Sequence, residues 1–530
     1  MQIARTFRLL AGGLSIACAG AMAQDNPAAR NPNALNFRFA QQAHAPLDVS
    51  ERAVTGGSPF PATCGDRNGI VYIGAEVEPH IAANPLDANH LIGVWQQDRY
   101  SNGGSRGQAY GVSFDGGLTW MRGTLPLTPC TGGTFERSSD PWLAFTPDGT
   151  AYQISLAFSG DETSGTSAMM VTRSADGGLS WSAPIALGQT TGQFNDKETI
   201  TADPFDSRFV YAVWDRLLSE NSGGNYFSRT TDGGATWEAA RQLYRPTFGS
   251  TISNLIRVLP DGTLVDMFME LGSAPLIRVM RSTDRGASWS APITVSSSGA
   301  LGVEDPQTGR IVRDASIVPQ MAVGPNGTLY VVWQDARYTG QRDAISISSS
   351  SDRGLTWSLP VRVNGDPTVQ AFIPQVHVLA NGTIGVTYFD FRSNTSDPAT
   401  LLTDFWLARS TDGGATWTET RVSAPFDLAT APDADGLFVG DYNGLTSSGT
   451  TFISLYAKTT GDTQSNRNDV FAARISSPSF ADAKRAYRAE SLPQMEPDAA
   501  FRDAVSANAQ RALRARYLKL QRYTASSPGR

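Results

Sequence analysis

Eight residues of the form Ser/Thr-x-Asp-x-Gly-x-Ser/Thr-Trp recur six times in this chain of 530 residues. Their aspartates are Asp115, Asp176, Asp232, Asp284, Asp352 and Asp412, spaced 52 to 68 residues apart. Repetition at such a period implies an array of supersecondary units, each burying its apolar faces against its neighbours. The motif also carries its own physical reason. An Asp side chain accepts backbone N–H groups two residues on, Gly tolerates the positive φ of a tight turn, and Trp fills the apolar space beside it. It is therefore a fold element first, and by itself says nothing about chemistry.

Other signals keep step with it. First strands are expected to begin at Glu78-Pro79-His80-Ile81, Asp140-Pro141-Trp142-Leu143, Asp196-Lys197-Glu198-Thr199, Asn254-Leu255-Ile256, Pro319-Gln320-Met321, Pro374-Gln375-Val376 and Gly440-Asp441-Tyr442. A hairpin turn follows each, as at Asp261-Gly262-Thr263 and Asn326-Gly327-Thr328. An apolar second strand comes next, then a third that runs into the Asp motif and a fourth after its Trp. Four antiparallel strands repeated around an axis make an all-β fold, a β-propeller. Counting the starts gives seven blades, or six if one start is an insertion. The last unit has no Asp motif, and the segment between Asn36 and Ala53 can supply the strand that closes it. The propeller is expected over residues 70–475, preceded by an N-terminal segment at 24–69. A basic tail follows at 476–530, with helical composition at 498–523. That tail reads as a surface helix, as a poorly ordered appendix, or as a contact for an acidic polymer.

The first 23 residues have the build of a secretory signal: Arg5 and Arg8, an apolar stretch from Leu9, and Ala21-Met22-Ala23 before Gln24. A secreted or periplasmic protein is expected, monomeric and without a membrane span. Export would leave Cys64 and Cys130 in an oxidising compartment, either as a disulfide around the first repeat or as two thiols. Four scattered histidines and two remaining cysteines make no Cys/His metal site, and no cofactor is implied. The net charge of −7 argues against a nucleic-acid partner.

Antiparallel geometry separates two faces. The Asp motifs and hairpins share one, while the starts of first strands and the ends of second strands share the other. That second face repeats an acid–arginine signature: Asp98-Arg99, Asp335-Ala336-Arg337 and Asp390-Phe391-Arg392. Such pairs suit a charged or hydroxyl-rich ligand, with Arg99, Arg337 and Arg392 gripping a carboxylate and Asp98, Asp335 and Asp390 beside them. The same pairs are also what interblade ion pairs would look like. First-strand starts add Glu78, Asp140, Asp196, Glu198 and Asp441. Asp441-Tyr442 is the most distinctive, because a Tyr beside an acid can act as nucleophile or acid/base. The alternative is a tyrosine that plugs the channel mouth.

The Asp motif at this spacing resembles the Asp-box repeats of the sialidase (neuraminidase) superfamily over about residues 70–475. In texture the chain is similar to exported bacterial sialidase-like proteins with Gly-Asp-Tyr and Trp-Gln-Asp segments. The resemblance implies a propeller with an arginine trio for a substrate carboxylate, a Tyr–Glu nucleophile pair and an Asp acid/base. Where that family carries Arg-Ile-Pro, this chain has Glu78-Pro79-His80-Ile81.

Two functions compete. One is an exo-glycosidase acting on acidic sugars, with Glu198, Asp441 and Tyr442 for proton transfer or attack. The other is a propeller that binds a glycan or protein partner without catalysis. A channel metal held by Glu78, Asp140 and Asp441 is a third option.

Overall fold

The computed structural model describes residues 42–44, 47–65, 68–160, 165–219, 222–272, 274–461, 465, 467–476, 484–488 and 497–525. Of 42–44, 484–488 and 516–525 only the secondary structure is described. The export signal read at residues 1–23 lies outside the described residues.

Strand-forming runs between Gly- and Asp-rich turns give one four-stranded antiparallel sheet after another. Phe194–Ala202, Val210–Ser219, Ser222–Thr230 and Arg241–Tyr244 form one such sheet. Ser250–Val258 to Ile293–Ser297 form a second, and Gln320–Val323 to Val361–Arg362 a third. Two further meanders, starting at Val71–Asn84 and Arg137–Phe145, are joined by a single pairing of Ser105 with Ser138. The meander from Ala371–Val378 to Thr416–Arg421 is extended at its outer edge by Lys484–Arg488 and Gln42–His44. Gly444–Ser448, Thr451–Thr459 and Asn468–Ser476 take their fourth, outermost strand from Asp48–Ala53, far away in sequence.

Second strands such as Leu329–Asp335 and Ile384–Asp390 are buried at every position. A sheet covered on both faces needs such near-continuous apolar runs instead of alternation. Trp95, Trp214 and Trp333 fill the same place in alternate second strands and are fully buried. First strands of neighbouring sheets lie side by side: Thr199 Oγ1 donates to Asn254 O at 2.9 Å, Ser253 Oγ to Ile317 O at 3.2 Å and Asn443 Nδ2 to Ile373 O at 3.0 Å. The all-β arrangement, with one long helix at Ala499–Ala525, is consistent with a propeller. Among the described residues no helix is long and apolar enough to cross a membrane.

All six repeated motifs close in the same way, over a wider turn than the two-residue reach expected for Asp. Each Asp Oδ1 accepts the N–H of the residue four positions on, at 2.9–3.0 Å. The leading Ser or Thr hydroxyl accepts the N–H of the Gly common to the six motifs, as from Gly414 to Ser410 Oγ at 2.8 Å. That glycine is required: at Gly178 φ is +87°, and an added Cβ would stand 2.6 Å from Ile92 Cδ1.

Cys64 and Cys130 form a disulfide with Cα atoms 5.2 Å apart, closing a separation of 66 residues. Replacing both by serine is expected to lower stability by about 2–4 kcal/mol, because the unfolded chain regains loop entropy. Urea denaturation reads this directly, and an unchanged midpoint would mean that strand pairing alone fixes the segment.

Candidate functional site

The first strands are interrupted near their starts by a recurrent backbone feature. Glu78, Asp140, Lys197, Ser253, Ala315 and Ile373 all have positive φ, between 50° and 64°. Strand register slips at five of these places, between Val77 and His80, Ser139 and Trp142, Asp196 and Thr199, Ile252 and Leu255, and Phe372 and Gln375. Bulges of this kind re-aim a side chain, and non-glycine residues held there carry strain typical of functional positions.

Three of the re-aimed side chains meet. The Lys197 ammonium lies 3.2 Å from Glu78 Oε1, 3.2 Å from Asp140 Oδ1 and 2.6 Å from Asp441 Oδ2. Arg313 grips Asp441 from the other side, its Nε 2.7 Å from Oδ1 and its Nη2 on Oδ2. Gln96 donates to Glu78 and accepts from Arg99 Nη1 at 2.7 Å. Arg99 and Arg313 both pack on the ring of Phe438. Apart from Arg313, whose side chain is 16 % exposed, every charged group in this cluster is at least nine-tenths buried.

Electrostatics divide the acids. Burial, reinforced by Asp140, pushes the Glu78 carboxyl well above the ordinary range, against the pull of Lys197. Burial would raise Asp140 too, but the Lys197 ammonium and hydrogen bonds with Glu78 and Asp196 outweigh it and hold Asp140 low. Lys197 is held well above the ordinary lysine value, because Asp140, Asp441 and Glu78 together exceed its desolvation. Arg99 falls to about 10 through burial and the nearby Arg313. One acid that favours its proton thus stands against another that stays ionised, which is the division acid–base chemistry needs.

The cluster opens on a cavity of about 1060 Å³, lined by Arg99, Asp140, Asp196, Lys197, Arg313 and Asp441. The C-terminal helix forms part of its wall. Val505, Ala509 and Leu513 of that helix are buried, and Asn508 Nδ2 donates to Ala300 O at 3.2 Å and to Ser316 Oγ at 3.1 Å.

The residues singled out from sequence separate into three places. Arg99 and Asp441 line the large cavity. Glu198 and Tyr442 line a different, small one, and the Tyr442 hydroxyl is spent on Pro141 O at 3.1 Å. The remaining acid–arginine positions lie away from both cavities. Asp98 pairs with Arg106 at 3.0 Å, not with the adjacent Arg99, and also accepts from Ser58 and Gly74 N. Asp335 holds Arg337 at 2.6 Å and the Trp333 indole at 2.7 Å. Asp390 holds Arg392 and the Trp406 indole, with Arg392 reaching on to Glu419 at 2.7 Å. The three acids considered for a metal, Glu78, Asp140 and Asp441, converge on the chain's own ammonium.

Lys197 and Arg313 were not singled out by sequence reasoning. Lys197 stands at the strand-start position that Glu78 and Asp140 occupy in earlier units, so alignment of the units on their first strands marks it. Arg313 belongs to an insertion with a short hairpin, Val303–Glu304 paired with Ile311–Val312. The widest gap between repeated motifs, from Asp284 to Asp352, is the trace of that insertion.

No family model matches the chain. A xyloglucanase from Paenibacillus sp is 27% identical over an alignment of 285 residues, gaps included, that covers 42% of this chain and 26% of that protein. Among solved structures, an α-L-arabinanase from Penicillium chrysogenum complexed with arabinobiose is similar with 13% identity and a TM-score of 0.43, over 81% of this chain and 98% of that one. A Hadza microbial sialidase is similar with 16% identity and a TM-score of 0.42, again over 81% and 98%.

Proposed function

We propose that the recurring sheets close into a seven-bladed propeller, and that the large cavity is the active site of an exported exo-glycosidase acting on acidic sugars, sialic or uronic. What supports the fold part is the lateral contact of successive first strands and the outermost strand that Asp48–Ala53 lends to the last sheet. The observation that carries the chemistry is the convergence of Asp140 and Asp441 on one ammonium, beside a proton-favouring Glu78 and a buried Arg99 that has no carboxylate partner among the described residues. Hydrolysis of a glycosidic bond needs a proton donor for the leaving oxygen and a carboxylate that attacks or activates water. Glu78 and Asp140 share the proton and deliver it as a couple. Asp441, held by Arg313 and Lys197, is the attacking or water-activating carboxylate. Arg99 receives the acidic group of the sugar. A carbohydrate is also what the name of the xyloglucanase relative points to.

A non-catalytic glycan-binding propeller is the second reading. It is favoured by the way Asp98, Asp335 and Asp390 are all spent on arginines.

A panel of aryl sialosides, glucuronides and arabinofuranosides separates the two. Turnover of an acidic glycoside is expected, falling about 10³-fold in Asp441→Asn. Absence of turnover on every substrate by the folded protein would leave the binding reading.

A further inference from the structure

Three buried side chains on successive first strands carry polar atoms without a hydrogen-bond partner: Glu198 Oε2, Asn254 Oδ1 and Nδ2, and Gln320 Oε1. Their residues are 2 %, 0 % and 3 % exposed. Buried polar atoms in folded proteins are nearly always paired, so four such atoms together call for a ligand or water. All three side chains line one cavity of about 20 Å³, whose apolar walls include Trp142, Leu255, Pro319 and Tyr442. Glu198 is clamped in place, because its Oε1 accepts the backbone N–H of Leu156.

The donor set narrows the occupant. It offers a carboxylate and two amide oxygens, hard ligands that suit a cation such as Na⁺ or K⁺ and not a soft metal. The N–H donors of the set, on the Asn254 and Gln320 amides, share a planar group with the two amide oxygens and turn away when those oxygens face the cavity. The volume admits about one small sphere and no hydration shell. A single local carboxylate balances a single charge, whereas Ca²⁺ takes six to eight oxygens. The Lys197 ammonium, next in sequence to Glu198, is turned to the other cluster and does not fill this place. Burial, reinforced by Asp140 and Asp196 and only partly offset by the Lys197 ammonium, holds the Glu198 carboxyl well above its ordinary value.

We propose that Glu198, Asn254 and Gln320 bind one dehydrated monovalent cation that ties three neighbouring first strands together behind the large cavity. This site is independent of glycoside hydrolysis and is tested without any substrate. Thermal unfolding of the full chain is measured in chloride salts of sodium, potassium and tetramethylammonium at equal ionic strength. The last of these ions is too large for the cavity. One of the small cations is expected to raise the midpoint of the wild type by about 2 °C over tetramethylammonium. Glu198→Gln, which keeps the hydrogen bond from Leu156, is expected to abolish that rise. Diffraction from wild-type crystals soaked in thallium(I) gives a second readout that needs no variant, with an anomalous peak expected between the three side chains. Equal midpoints in all three salts, with no such peak, would overturn the proposal in favour of water. A rise that persists unchanged in Glu198→Gln would place the cation elsewhere and overturn it as well.

Discussion

Lys197→Met is expected to lose about 3–5 kcal/mol of stability at pH 7, and far less near pH 4. The wild-type ammonium is the shared partner of Glu78, Asp140 and Asp441, all buried. Its raised pKa means that its contribution is complete below the ordinary lysine value and is lost only as pH rises through the higher folded value. Across the acid and neutral range Lys197 therefore stays charged, and its own titration adds no pH dependence. Asp140 behaves oppositely: held low in the fold, it stabilises above the ordinary carboxylate value and loses that stabilisation as pH falls through its folded value. Removing the ammonium reverses the sign for Asp140. Burial and the neighbouring acids then raise its pKa, so the folded state binds more protons than the unfolded one from the ordinary carboxylate range upward. Stability of the variant accordingly falls as pH rises, and the gap from wild type widens. Asp441 keeps Arg313 and is affected less. Urea denaturation at several pH values checks this, and a gap that stayed constant with pH would refute it.

The repeated units were legible because everything that defines them is local. Asp412, for instance, makes its turn with Ser410 and Thr416 inside one eight-residue stretch. The acid–arginine signature was legible for the same reason, since Asp335 and Arg337 stand two residues apart. Its direction was not: whether Asp390 faces a ligand or the Trp406 indole depends on how the next strand packs. The site itself is built from Glu78, Asp140, Lys197, Arg313 and Asp441, which no local rule joins. Their side chains meet only because bulges turn the first three out of the strand pattern, and positive φ at Asp or Lys has no reliable sequence mark. Tyr442 illustrates the limit in the other direction. It and Asp441 are expected from sequence at a strand start, but that strand begins only at Gly444, and the two adjacent residues line different cavities from the irregular stretch ahead of it.

Arg99→Met is expected to make the protein more stable and less able to select its ligand. Arg99 is 1 % exposed and donates to the neutral Gln96 amide, while its Nε has no partner. Its pKa falls to about 10, which expresses the cost of keeping this charge buried next to Arg313. Glu78, Asp140 and Asp441 pull in the other direction, but none of them forms an ion pair with it among the described residues. Methionine has a similar length and no charge to desolvate, so a gain of about 1–2 kcal/mol in unfolding free energy is expected. The loss falls on binding. A guanidinium desolvated in advance is worth about 2–4 kcal/mol to an incoming carboxylate, which corresponds to roughly 30-fold to 10³-fold in kcat/KM. A neutral glycoside with the same leaving group never uses that interaction, and its kcat/KM is expected to change by less than about threefold. Matched uronide and neutral substrates, assayed beside urea denaturation of the same preparations, give both halves of the result. Equal losses on the two substrates would mean that Arg99 acts only by holding Gln96 against Glu78, and that another group receives the acidic end of the sugar.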